Sequence, residues 1–157
     1  MPQPIRIPDV AGKVVALLGL GRTGSATAAA LEASGATVWA WDDNEQARAA
    51  AAPGMIVELA KANWERPEML VMSPGIPHTH PAPHAVVTVA RAHGVEIIGD
   101  VELFARALLT PTVPEAVCIG ITGTNGKSTT TSLIGHVIQA AGRAAIAGGN
   151  LGTPVLA

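Results

Sequence analysis

Lys13-Val14-Val15-Ala16-Leu17-Leu18-Gly19-Leu20-Gly21-Arg22-Thr23-Gly24, with the alanine-rich stretch that follows to Ser34, decides how this chain is read. Lys13 to Leu18 is aliphatic and partly β-branched without polar alternation, the pattern of a strand buried on both faces of a parallel sheet. Thr23 to Ser34 predicts a helix, and Gly35 supplies its C-cap. Gly19, Gly21 and Gly24 between them fit G-x-G-x-x-G. The first glycine makes a tight turn, the second lets a pyrophosphate approach the backbone, and the third lets helix and strand pack closely. The helix N-terminus adds unpaired N–H groups and a positive dipole end. Asp42 ends the next apolar run, where a carboxylate accepts hydrogen bonds from a ribose; NAD and a uridine diphosphate both satisfy that geometry.

Working outward, Ala36 to Trp41 reads as a second strand and Glu45 to Ala52 as a helix stopped by Pro53-Gly54. Met69 to Met72 is a third strand, running into the proline-rich loop Ser73 to Pro83. Pro83 to His93 reads as a helix, Val95 to Ile98 as a strand, and Asp100 as the cap of a helix over Val101 to Leu109. Strands alternating with helices at this spacing predict an α/β fold, a Rossmann-like doubly wound parallel sheet over residues 1–110. Residues 111–115 interrupt the pattern with Pro111 and Pro114 and read as a linker. The pattern restarts in 116–157: strand Ala116 to Ile121, a glycine-rich loop, helix Ser128 to Ala141, strand Arg143 to Ala147 and the loop Gly148-Gly149-Asn150. This is expected to be the start of a P-loop ATPase domain. Only 43 residues of the 157 follow Pro114, against roughly 100 to 150 in a typical domain, so an N-terminal piece of a longer protein is expected.

Composition excludes several classes. Hydrophobic residues make up 48% and charged residues 14%, which suits a chain with a core and not a disordered one. A net charge of −2, no basic run, and three Trp with one Phe as the whole aromatic complement argue against nucleic-acid binding. The single cysteine, Cys118, excludes an internal disulfide and suits a reducing compartment. No apolar run approaches the ~18 residues of a membrane span. The apolar stretch before Ala26-Thr27-Ala28 is broken by Gly19, Gly21 and Arg22, unlike a signal peptide. A cytoplasmic protein without membrane insertion is expected.

The second loop, Gly120-Ile121-Thr122-Gly123-Thr124-Asn125-Gly126-Lys127-Ser128-Thr129, has the chemistry of a phosphate cradle, although its leading glycine stands one position earlier than the strict Walker A spacing. Gly123 and Gly126 allow inward-facing amides, Lys127 brings a charge to β- and γ-phosphates, and the Ser128 hydroxyl can reach Mg²⁺. Two phosphate loops in succession call for two nucleotide-type ligands, with ATP expected at the second. Both loops, together with Ser73-Pro74-Gly75-Ile76-Pro77, Gly99-Asp100-Val101-Glu102-Leu103-Phe104 and Gly148-Gly149-Asn150-Leu151-Gly152, appear in this order. The set resembles the Mur ligase family, and within it the branch that adds D-glutamate.

The resemblance spans nearly the whole chain from Lys13 onward. It implies an ATP- and Mg²⁺-dependent amide-forming ligase of cytoplasmic peptidoglycan precursor synthesis, whose small-molecule partners are UDP-N-acetylmuramoyl-L-alanine, D-glutamate and ATP. ATP phosphorylates the substrate carboxylate, and the amine attacks the acyl phosphate. Carried over by position, Gly21, Arg22 and Thr23 meet the UDP pyrophosphate, Asp42 lies near the uridine, and Ser73, Pro74 and Gly75 lie beside the uracil. Gly123, Thr124, Asn125, Gly126, Lys127, Ser128 and Thr129 form the ATP loop, Lys127 with the catalytic role and Ser128 as a magnesium ligand, and Asn150 contacts substrate near the reacting carboxylate. Asp43 and Asn44 depart from the hydroxyl or basic residues expected after Asp42. The remaining magnesium ligands would lie beyond Ala157, and the fragment alone is expected to be inactive.

Plainer readings stand beside these. An NAD-dependent oxidoreductase accounts for the first loop and Asp42 but not the second loop, and a nucleotide-binding module without turnover accounts for both. His78, His80 and His84 fall in a proline-broken surface loop with no carboxylate or cysteine expected nearby, so a solvated loop is expected in place of a metal site. Trp39 and Trp41 share a strand face and are expected to serve core packing. Cys118 is expected to be a buried, inert residue of its strand. Glu102 reads as a surface residue of its helix.

Overall fold

A computed structural model describes residues 5–109, 117–149 and 152–157. Strand β1 (Val14–Leu18) is followed by α1 (Arg22–Ala33), β2 (Thr37–Trp41), the short α2 (Glu45–Ala50), β3 (Pro67–Met72), α3 (Ala85–Ala92), β4 (Glu96–Gly99) and α4 (Asp100–Leu108). The four strands form one sheet in the order β2-β1-β3-β4, and every pairing is parallel. This is the Rossmann-like α/β architecture expected from the alternation of elements. Val15 to Leu18 of the central β1 are each no more than 1% exposed, as its lack of polar alternation requires.

Helices cover both faces. On one, Ala28, Ala30 and Leu31 of α1 and Leu103 and Ala107 of α4 pack with Val15 and Leu17. On the other, Val86, Val87 and Ala90 of α3 pack with Ala16 and Leu18. Chain leaving β1 therefore turns to one face and chain leaving β3 to the other, although the two strands are neighbours. A crevice opens between their carboxyl ends, the topological switch point where open α/β sheets bind ligands.

The structure moves several expected boundaries. β3 starts at Pro67, because a proline is tolerated at the first residue of a strand, and the β1–β3 register shifts between Val14 and Val15, so that Val14 pairs with Pro67 and Val15 with Met69. α4 begins at Asp100 itself, with Gly99 as N-cap. Asp100 is buried, and that burial pushes its carboxyl above the ordinary value, offset in part by hydrogen bonds from the amides of Val101 and Asp100. Two 3-10 turns, Pro53–Met55 and Leu59–Lys61, have no periodic signal in the sequence. They cover opposite faces: Met55 of the first joins the α1/α4 face, whereas Leu59 and Trp64 are buried on the α3 face, where the Trp64 indole donates to the Leu59 carbonyl at 2.8 Å.

Beyond residue 116 the expectations divide. The helix forms as α5 (Lys127–Ala140). The strands expected at 116–121 and 143–147 do not form among the described residues; the nearest feature is an isolated bridge between Gly148 and Thr153. A strand exists through hydrogen bonds to a neighbour, and these apolar runs have no neighbour there to pair with. Cys118 is consequently exposed, contrary to the buried position expected. None of residues 117–149 is buried. Leu156 is 2% exposed and joins the α1/α4 face of the core, with Val155 against it. The expected linker, 111–115, lies outside the described residues.

Candidate functional site

The loop leaving β1 is built by steric exclusion. Gly19 has φ +98°, and a Cβ there would lie 2.6 Å from the Ser73 Cβ and 2.8 Å from the Ile76 Cδ1. A Cβ on Gly24 would lie 1.9 Å from the Gly19 carbonyl oxygen, so the third glycine brings the first turn of α1 against the loop. Gly21 differs from both. It has negative φ, and a Cβ built on it would meet nothing within 4 Å. The fold does not require a glycine at that point, whereas a ligand approaching the backbone would.

Gly21 is the N-cap of α1 and supplies no side-chain cap, and no acidic residue occupies the first turn. The leading amides of α1 are thus left for a ligand at the positive end of the helix dipole, the arrangement that receives phosphate. Gly21 and Arg22 are exposed and Thr23 is half-buried at this mouth. Ser73, at the end of β3, closes the crevice from below: its amide donates to the Leu18 carbonyl at 2.9 Å and its hydroxyl to the Gly19 carbonyl at 3.0 Å. Pro74 and Gly75 continue the loop in exposed positions. Gly19 to Thr23, Ser73 to Gly75 and Asp42 therefore come together at one end of the sheet.

Asp42 carries an intramolecular duty that the sequence did not suggest. Its Oδ2 accepts from the Leu20 amide at 2.6 Å and its Oδ1 from the Asn44 amide at 2.8 Å. The carboxylate ties the glycine loop to the end of β2, and each oxygen keeps one lone pair for a ligand hydroxyl. Asp43, beside it, is exposed and holds two further partners: Oδ1 accepts from the Trp41 indole at 3.2 Å, and Oδ2 lies 3.0 Å from His84 Nε2. The hydrogen bond with His84 chiefly holds the Asp43 carboxyl below its ordinary value; partial burial opposes this, while the Trp41 indole and the Arg48 charge reinforce it. Arg48 lies over the Trp41 ring at 4.4 Å and donates to the carbonyls of Asp42 at 2.6 Å and Asp43 at 3.0 Å. Trp39 and Trp41 are half-buried at the margin of the core, and Arg66 lies over Trp39 at 5.1 Å.

The second loop is shaped by backbone conformation. Gly123 and Gly126 have φ +147° and +77°, a region L side chains rarely adopt. Gly126 is the N-cap of α5 and again offers no side-chain cap. Lys127 curls back so that its Nζ donates to the carbonyls of Gly123 and Thr124. Thr124, Asn125, Ser128 and Thr129 are exposed around this mouth. An ammonium over a loop of uncapped amides is a donor set suited to phosphate oxygens, and the Ser128 hydroxyl beside it suits a hard cation. Asn150 lies outside the described residues. Among the described residues no cluster of three or more His, Cys, Asp or Glu could hold a metal ion, which includes the three loop histidines, and no helix is long and apolar enough to cross a membrane.

The description "Mur ligase MurD-like, N-terminal domain" matches residues 13–99, the span from β1 to the end of β4. This chain belongs to the MurD-like Mur ligases. The UDP-N-acetylmuramoylalanine--D-glutamate ligase of Brucella abortus (strain 2308) is 53% identical over 154 residues, covering 97% of this chain and 33% of that protein. The enzymes of the same name from Caulobacter sp. (strain K31) and Rhizobium meliloti (strain 1021) are each 51% identical, over 92% and 97% of this chain and 32% and 33% of theirs. The chain thus spans about a third of the length of the curated Mur ligases it matches. The MurD-like match encloses the whole Gly19, Asp42 and Ser73 crevice. His84, Asp43 and Arg48 lie within it too. His84 was expected in a solvated loop with no carboxylate nearby, but it is half-buried as the N-cap of α3 and lies 3.0 Å from Asp43, a carboxylate that the chain's folding brings from 41 positions away.

Proposed function

We propose that residues 1–110 form the UDP-substrate-binding unit, and residues 116–157 beyond a linker at 111–115 the beginning of the ATP-binding unit, of a cytoplasmic ligase. That ligase joins D-glutamate to UDP-N-acetylmuramoyl-L-alanine, the reaction named in its relatives. The observation that carries the reading is the contrast at the first loop: Gly19 and Gly24 are demanded by the packing, while the missing Cβ of Gly21 opens onto free space above uncapped α1 amides. Arg22, exposed beside those amides, adds a positive charge for the diphosphate, and Thr23 a hydroxyl. Asp42, held by Leu20, presents its remaining lone pairs to the ribose, and Ser73 to Gly75 border the base.

In this reading the second loop holds ATP. Gly123 to Thr129 surround the phosphates, Lys127 exchanges its contacts with Gly123 and Thr124 for phosphate oxygens, and Ser128 would hold Mg²⁺, which when bound would neutralise charge on the phosphoryl group. The substrate carboxylate attacks the γ-phosphorus and ADP leaves; the D-glutamate amine attacks the resulting acyl carbon, and phosphate leaves as the amide forms. Phosphorylation is needed because a carboxylate is a poor electrophile with no leaving group of its own. Lys127 lowers the barrier by countering the charge that develops on the phosphoryl oxygens.

Isothermal titration of the chain with UDP-N-acetylmuramoyl-L-alanine, UDP and NAD tests the reading. Binding of both UDP ligands, lost in an Arg22→Ala, Thr23→Ala double variant, with no response to NAD, is the expected result. Binding of NAD without the UDP ligands would overturn it and favour an oxidoreductase.

A further inference from the structure

His84 stands far in sequence from the glycine loop, yet its ring is used at both nitrogens. Nδ1 accepts from the Val86 amide at 3.2 Å, capping α3, so that nitrogen carries no proton. The remaining nitrogen of a neutral ring, Nε2, then carries the hydrogen, and it lies 3.0 Å from Asp43 Oδ2. The helix cap thus selects the tautomer that can donate to Asp43. The imidazole is mostly shielded, with 20% of its side chain exposed.

The link closes a circuit around the crevice. Ser73 fastens the start of the loop after β3 to Leu18 and Gly19. The His84 amide donates to the Pro77 carbonyl at 3.0 Å, which ties the end of the loop back to its middle. His84 Nε2 then reaches Asp43, and Asp42 next to it holds Leu20 in the glycine loop. The charged group beside the pair is Arg48, which binds through the carbonyls of Asp42 and Asp43.

We propose that His84 is a positioning residue of the nucleotide site: through Asp43 it holds the end of β2 in register, so that Asp42 keeps the glycine loop shaped for a diphosphate. The inference rests on the UDP-binding reading above. It assigns His84 two separable duties, capping α3 and tethering Asp43, and only the second concerns the ligand.

Replacing His84 with asparagine separates them. Asparagine is a good N-cap, so His84→Asn preserves the cap, but its side chain is too short to reach Asp43. The expected result is a melting temperature within a few degrees of wild type, with UDP binding weakened about three- to tenfold by titration calorimetry. Asp43→Ala, at an exposed position, weakens binding similarly, and adding His84→Asn to it costs nothing further. A His84→Asn chain that binds UDP like wild type, or losses that add fully in the double variant, would overturn the proposal. Should His84→Asn unfold the chain, Asp43→Ala alone decides: undiminished UDP binding sinks the tether. Failure of the unaltered chain to bind UDP removes the functional reading itself, an outcome distinct from either.

Discussion

The chain contains two strand-type runs that enter glycine-rich loops and then helices, and their surroundings differ. In the first, β1 lies between two hydrogen-bonded neighbours and α1 buries Gly24, Thr27, Ala28, Ala30 and Leu31. In the second, residues 117–121 pair with nothing among the described residues, and α5 buries no residue at all. Leu133 and Val137 of α5 are more than half exposed, and with Val117, Ile119 and Ile146 they leave an apolar surface. The loops follow suit: a side chain on Gly19 or Gly24 of the first would collide, whereas Gly123 and Gly126 of the second have positive φ and a Cβ on either would meet nothing closer than 3.7 Å. The same local chemistry is therefore a consequence of packing in one place and of backbone preference in the other.

The largest test of that difference is Gly24→Ala. Its Cβ would fall 1.9 Å from the Gly19 carbonyl, so urea denaturation should show a loss of about 3 kcal/mol or more. Gly21→Ala, a few residues away, should cost about 1 kcal/mol or less while impairing UDP binding. Core truncation comes next. Leu31→Ala in α1 removes a fully buried side chain and should cost about 2–5 kcal/mol, whereas Leu133→Ala in α5 should stay within about 0.5 kcal/mol. Equal losses would break the comparison. Gly126→Ala, strained by φ +77° without a collision, should cost about 1–2 kcal/mol, localised to the start of α5 and visible as faster amide exchange there.

The smallest effects are in pH dependence, and they carry opposite signs. Asp43 has a lowered folded value, so its contribution is present above the ordinary carboxylate range and is lost as pH falls through that lowered value. Asp43→Asn should remove this acid-side loss in melting curves. The effect is modest because the Asp43 side chain is 74% exposed. Asp100 has a raised folded value, so its contribution is present below the ordinary range and lost as pH rises through the raised one. Asp100→Asn should flatten the melting temperature on that side.

Local signals located α1 and β2 to within a residue or so, since Gly19, Gly35 and Asp42 punctuate an aliphatic and alanine-rich sequence. They failed where the deciding partner is distant. The turns at Pro53–Met55 and Leu59–Lys61 are organised by the core they cover. Cys118 looked buried because its neighbours are apolar, yet burial needs an opposing surface. Of the candidate site, the glycines were legible in a loop pattern a few residues long, whereas Arg22, Thr23 and Ser73 entered only through the family resemblance. His84 was not legible, because its partner Asp43 is 41 residues away.

The sequence by itself determined the alternation of apolar strands and helices, the two glycine loops and the family, since each depends on residues close together or on a linear pattern. The tertiary structure decided the rest. Parallel pairing in the order β2-β1-β3-β4 set the switch point beside β1 and brought Ser73 to Gly19 across 54 positions. It also gave Asp42 its grip on Leu20, and left Leu133 and Val137 of α5 uncovered. Hydrogen bonds and burial are relations between segments, so a segment's own residues state what it can do and only its neighbours decide what it does.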